Sequence, residues 1–201
     1  MNKSLISDCI KLFIITIIAG LALGFVYNIT KEPIAKQEEL AKQKAYQTVF
    51  SDGKSFKAVK FDDAKIADLC KQNGITGITM NEVMAACDDN GNEIGYVFNV
   101  TSSEGYGGDI QLAVGVQKDG TLNGYDTLSI GETAGLGMNA TTDEFKSQYQ
   151  GIKAKQLEVV KDGTGKDSDE KIDAISGATI TSRAVTGAVN ACLAYAAEGG
   201  N

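Results

Sequence analysis

A threonine hydroxyl, a glycine and a nearby acid stand close together in Asp173-Ala-Ile-Ser-Gly-Ala-Thr179, and Ile180, Thr181 and Ser182 follow at once. The spacing predicts a helix over about 182–197, because Val185, Val189, Cys192 and Ala196 repeat at intervals of three to four. Thr179 therefore sits on a turn just ahead of a helix N-terminus. Unpaired N–H groups and the positive end of the helix dipole suit a phosphate there. Gly177 and Ala178 leave the backbone open to a bulky ligand, with Ser176, Thr181 and Ser182 offering hydroxyls. The same stretch also serves as a plain helix start, since Ser and Thr are common caps. Both readings stand on these residues alone.

Two glycine clusters precede it. Glu104-Gly-Tyr-Gly-Gly-Asp109 places Tyr106 between Gly105 and Gly107, so the backbone can pass close beneath a flat ligand with an aromatic ring beside it. Gly131-Glu-Thr-Ala-Gly-Leu-Gly137 sets three glycines around Glu132, Thr133 and Leu136. Each cluster by itself reads as a turn. Their order and spacing ahead of Asp173–Ser182 are what set them apart.

The rest of the composition removes other chemistries. The chain has no histidine, which excludes a Ser-His-Asp hydrolase, a His-ligated metal and a His-bound haem. Redox work would then need an organic cofactor. Cys9, Cys70, Cys87 and Cys192 form no Cys-x-x-Cys pair, so they read as buried thiols, with room for one disulfide outside the cytoplasm. A net charge of −7 argues against a nucleic-acid partner.

These candidates need elements to hold them. Leu12 to Ile29 is an uncharged run of eighteen residues, long enough to cover about 27 Å as a helix. It exceeds the apolar region of a cleaved leader, and the Ala22-Leu-Gly24 cleavage-like site falls inside it, so an uncleaved anchor is expected. Lysines flank both ends, and local charge leaves the orientation open. The expected organisation is a short tail over 1–11, a transmembrane helix over 12–30, a stalk helix over 31–50 that starts near Pro33, and a soluble domain over 51–201. Alternating segments predict strands over 78–84, 93–100, 109–116, 121–128 and 157–160, with turns at Asp88–Gly91 and Lys118–Gly120 and a short helix over 142–149. The fold class is α+β: antiparallel β-hairpins with flanking helices behind one transmembrane helix.

Asp173-x-x-Ser176-Gly-Ala-Thr179 resembles the flavinylation motif of the FMN-binding domain family. The order of anchor, Gly-Tyr-Gly-Gly, Glu-Thr-x-Gly-Leu-Gly and Ser-Gly-Ala-Thr-x-Thr-Ser resembles the G-subunit family of the Rnf ion-translocating electron transport complexes. The C subunits of the sodium-translocating NADH:quinone reductase are similar at greater distance. Ala134 departs from the family's usual proline without removing a ligand group. The resemblance implies FMN held covalently by a phosphoester on Thr179, with Asp173 needed for the modification and a separate flavin transferase to perform it. It also implies an extracytoplasmic FMN domain on a single-pass anchor in the cell membrane. Its partners would be the other membrane and peripheral subunits and lipid. The expected role is electron relay in a ferredoxin:NAD oxidoreductase, with no complete activity alone. Gly105, Tyr106, Gly107, Glu132, Thr133 and Leu136 are the expected isoalloxazine contacts, and Thr181 and Ser182 are expected to cap the helix or bond phosphate. A membrane-tethered flavin sensor and a non-redox structural subunit are the alternatives.

Overall fold

The computed structural model describes residues 3–198, and the chain divides into two compact units, Met1–Ala41 and Lys42–Asn201. The first unit is helical throughout its described length. Helix α1, Lys3–Val49, runs through Pro33 and does not begin there as expected. Proline costs a helix the bond from its missing N–H, but one lost bond does not end a helix that is otherwise continuous. The apolar side chains between Leu12 and Ile29 are exposed, and the helix is long and apolar enough to cross a membrane.

The second unit is built on a five-stranded antiparallel sheet. Strands β1 (Ser55–Ala58), β2 (Ile78–Cys87), β3 (Glu93–Ser102), β4 (Ile110–Gln117) and β5 (Leu122–Ile130) lie in sequence order, each paired with the next. The four long strands run one to three residues past the C-terminal ends expected from alternation. Strand β1 and helix α2 (Asp63–Gln72) fall where no periodicity was legible. The expected helix over 142–149 is two short pieces, α3 (Asp143–Lys146) and a 3₁₀ turn over Ser147–Tyr149. Strands β6 (Glu158–Val160) and β7 (Lys171–Asp173) form a small parallel pair, and helix α4, Thr179–Ala197, closes the domain.

Both faces of the sheet are covered, which explains why β3 is buried almost throughout its length. On one face Phe98, Val100, Leu112 and Val114 pack with Val185, Ala188, Val189 and Cys192 of α4. On the other, Val97, Ala113 and Ala86 meet Ala45, Tyr46, Val49 and Phe50 at the end of α1. Tyr46 also donates its hydroxyl to Glu82 (2.6 Å). Leaving apolar surface wet costs about 25 cal/mol per Å², so the two clusters together set the sheet's position.

The small parallel pair is tied to α4 by Asn190. Its Oδ1 accepts the Leu157 N–H (2.8 Å) and its Nδ2 donates to the Leu157 carbonyl (2.9 Å). Strand β7, which leads into the threonine motif, is thereby referenced to the helix the motif opens. All four cysteines are free, with Cys9 exposed and the other three buried.

Candidate functional site

Helix α4 begins at Thr179 itself, three residues earlier than expected, with Ala178 at the cap position and no side chain capping it. The reason lies in Ser182. Its buried hydroxyl accepts the Ile175 N–H (3.0 Å) and donates to the Ala178 carbonyl (3.0 Å), pinning the turn from inside the first helical turn. Ser182 is thus occupied by the turn. Thr181 is buried as well, at 1% exposure. The Ser182 N–H bonds the Ala178 carbonyl (3.0 Å), whereas the N–H groups of Thr179, Ile180 and Thr181 make no backbone bond among the described residues. The Thr179 and Ser176 hydroxyls likewise have no hydrogen-bond partner among the described residues.

The other two glycine clusters are brought to this turn. Glu132 is the buckle between them: its carboxylate is buried, and Oε1 accepts the Tyr106 N–H (2.8 Å). Gly107 lies directly against the backbone of Gly131, so a side chain there would collide with the Gly131 carbonyl. A Cβ on Gly137 would lie 2.7 Å from that of Glu132. The third seam joins the second cluster to the threonine turn. Gly177 takes φ +76°, and a Cβ there would lie 3.2 Å from Leu136 Cδ2, so Leu136 lies over the turn. Thr133 accepts the N–H groups of Leu136 and Met138 through its carbonyl (3.1 Å each), shaping the loop that presents Leu136.

The three motifs are thus joined in series, the first to the second through Gly107 and Glu132 and the second to the threonine turn through Leu136. Among the described residues outside α1, the exposed large apolar side chains are Tyr106 (75%), Leu136 (45%) and Ile180 (53%), one from each motif. An exposed apolar side chain on each of three joined motifs offers contact area to a ligand seated on these loops. Glu132 is turned inward and serves the loops, while Gly105 and Gly107 supply close backbone approach. Asp173 braces the neighbouring loop: its Oδ1 accepts the Gly165 N–H (3.0 Å), and its own N–H donates to Gln148 Oε1 (2.8 Å).

Sequence reasoning missed Ile180 and Arg183. The available signal was that both fall off the apolar stripe by which α4 packs on the sheet. A cleft of ≈ 960 Å³ opens beside them, lined by Glu104, Leu157, Lys171, Ile180, Arg183 and Gly187 among others. No group of three or more metal-ligating side chains occurs among the described residues. Burial, followed by the nearby Cys70, pushes the Cys192 thiol well up, which keeps it protonated and inert.

A membrane-length helix followed by an α+β domain with this three-loop surface defines a membrane-anchored, ligand-binding protein. Residues 105–194 match the model of the FMN-binding domain, and residues 1–49 match that of the RnfG N-terminal region. The chain is 31% identical over 179 residues to the G subunit of the Na(+)-translocating ferredoxin:NAD(+) oxidoreductase complex of Acetobacterium woodii, covering 89% of this chain and 85% of that one. It is 35% identical over 176 residues to the G subunit of the proton-translocating ferredoxin:NAD(+) oxidoreductase complex of Clostridium ljungdahlii, covering 88% and 83%. Against the G subunit of the ion-translocating oxidoreductase complex of Methanosarcina acetivorans it is 26% identical over 198 residues, covering 96% and 95%. The crystal structure of Shewanella oneidensis NqrC overlaps 54% of the chain and 53% of its own at 29% identity, with a TM-score of 0.44. The chain belongs to the G-subunit family of Rnf-type ion-translocating oxidoreductase complexes, and its soluble part is an FMN-binding domain.

Proposed function

We propose that this chain is the electron-carrier G subunit of a membrane-bound ferredoxin:NAD oxidoreductase that translocates ions, relaying electrons through FMN joined to Thr179 by a phosphoester. The observation that carries the reading is the meeting of three motifs around Thr179. Each contributes one exposed apolar side chain, Tyr106, Leu136 or Ile180, and the Thr179 hydroxyl makes no hydrogen bond among the described residues. FMN, when bound, supplies a redox centre that accepts and releases electrons singly.

The residues present fit that cofactor. Thr179 offers its Oγ for the phosphoester, and the open N–H groups of the first α4 turn suit the phosphate charge. Tyr106, Leu136 and Ile180 offer apolar contact for a flat ring system. Gly107 and Gly177 remove side chains that would hold the loops apart, and the Glu132 carboxylate keeps the first two loops closed. A covalent tether makes tight non-covalent affinity unnecessary, which agrees with a surface site in place of an enclosed pocket. Attachment would be the work of a flavin transferase. Residues 12–30 would cross the cell membrane among lipid and the complex's other membrane and peripheral subunits, with the domain over 51–201 on the extracytoplasmic side.

The test is co-expression of the full chain with a flavin transferase, followed by intact mass and in-gel fluorescence under denaturing conditions. An FMN increment that is lost in Thr179→Ala and kept in Thr181→Ala is expected. A denatured band that stays dark and carries no increment would sink the reading.

A further inference from the structure

We infer that Arg183 is the positioning residue that holds the charge of a phosphodiester on Thr179, an inference that rests on the attachment proposed above. Arg183 is the only arginine in the chain. It lies four residues after Thr179 in α4, so the two are neighbours on one helix face with Cβ atoms about 5–6 Å apart. Helical side chains lean toward the helix N-terminus, which carries a long side chain at position 183 back over position 179.

Its surroundings leave it available for that task. Arg183 is exposed and has neither an ion pair nor a hydrogen bond among the described residues, although Glu104, Glu158 and Glu170 border the same cleft. On its own helix its neighbours at three and four residues' spacing include Ile180 and Gly187, neither of which carries a group that competes for the guanidinium. A planar five-donor fork suits two phosphate oxygens at once, which an ammonium cannot match.

A phosphodiester keeps one negative charge, and its tether has several free torsions. A guanidinium bonded to it restricts those torsions and so limits where the ring can go over Tyr106, Leu136 and Ile180. The site then presents the flavin in one arrangement to its partners.

The uniqueness of Arg183 makes the test direct, because its Nε–Hε group is the sole arginine source of that signal in the ¹⁵N spectrum of the full chain in detergent. Flavinylation, verified by intact mass, is expected to shift this signal downfield. It should also slow its exchange with water roughly tenfold, as a charge-assisted hydrogen bond would. In the flavinylated Arg183→Gln variant the ³¹P resonance should move and the flavin's fluorescence anisotropy should fall. Arg183→Lys, which keeps the charge, should restore part of both. An unmoved Nε–Hε signal in wild-type protein that carries the mass increment overturns the inference, as does a ³¹P resonance identical in wild type and Arg183→Gln. A wild type without the increment sinks the attachment itself and this inference with it. Loss of the increment in Arg183→Gln alone, with the fold intact by circular dichroism, places Arg183 in the attachment step, before any phosphodiester exists, and overturns the inference.

Discussion

Two glycines that face each other across the seam between the first two loops should respond unequally to the same substitution. A methyl on Gly107 would fall well inside van der Waals contact with the Gly131 carbonyl oxygen, 3.0 Å from its carbonyl carbon and 3.1 Å from Glu132 Cα. All three atoms are backbone, so no side chain can swing away, and the seam has to open. Opening it stretches the bond from the Tyr106 N–H to the buried Glu132 carboxylate, 2.8 Å in the intact structure. A methyl on Gly131 meets only the Gly107 carbonyl oxygen, at 3.4 Å, which is ordinary contact. Neither glycine has a positive φ, so the contrast is purely one of space. Overpacking of the first kind costs about 1–3 kcal/mol. At about 2–4 °C per kcal/mol for a domain of this size, Gly107→Ala should lower Tm by about 2–12 °C, and Gly131→Ala should leave it within about 2 °C. Near-ultraviolet circular dichroism reads this through the chain's 7 tyrosines, with no tryptophan to interfere. Amide exchange at Tyr106 should rise only in Gly107→Ala. Equal melting points and equal Tyr106 protection in the two variants would refute the reasoning.

Ser182→Ala should destabilise the domain by about 1–3 kcal/mol, because it strands the Ile175 N–H without a partner; urea midpoints together with Ile175 amide exchange check this, and a loss below about 0.5 kcal/mol would count against it. Asp119 carries the pH prediction. Hydrogen bonds from the Thr121 backbone and hydroxyl, followed by Lys153, hold its carboxyl down to about 2 from 3.8. A lowered folded-state value means the stabilisation is present above 3.8 and is lost as pH falls toward 2. Asp119→Asn should flatten that acid limb, and a ¹³C carboxyl titration with its midpoint at 3.8 would contradict the assignment.

The hairpins were legible in advance because alternation and turn residues act locally. Pairs β2–β3 and β4–β5 join across Asp88–Gly91 and Lys118–Gly120 as those residues predict. Helix α2 escaped notice because only Ile66, Leu69 and Cys70 are buried in it, too few to establish a period. The start of α4 at Thr179 also lay beyond local signals. It depends on Ser182 reaching back to Ile175, a bond whose geometry exists only once the turn has closed. The single helix through Pro33 shows the opposite limit, a local breaker outweighed by the helical residues on either side.

Composition and motif order alone determined that the chain has a membrane-length apolar helix, an α+β domain and no histidine chemistry. These follow from residue type and near-neighbour spacing, which need no fold. Tertiary structure alone decided which bonds the motif residues make. Glu132, an expected ring contact, turns inward to close two loops, and Ser182, an expected cap or phosphate ligand, braces a turn. Ile180, which the pattern did not flag, is exposed like Tyr106 and Leu136. The physical reason is that partners 26 residues apart, such as Tyr106 and Glu132, meet only after the sheet has formed, and burial then assigns each polar group its bond.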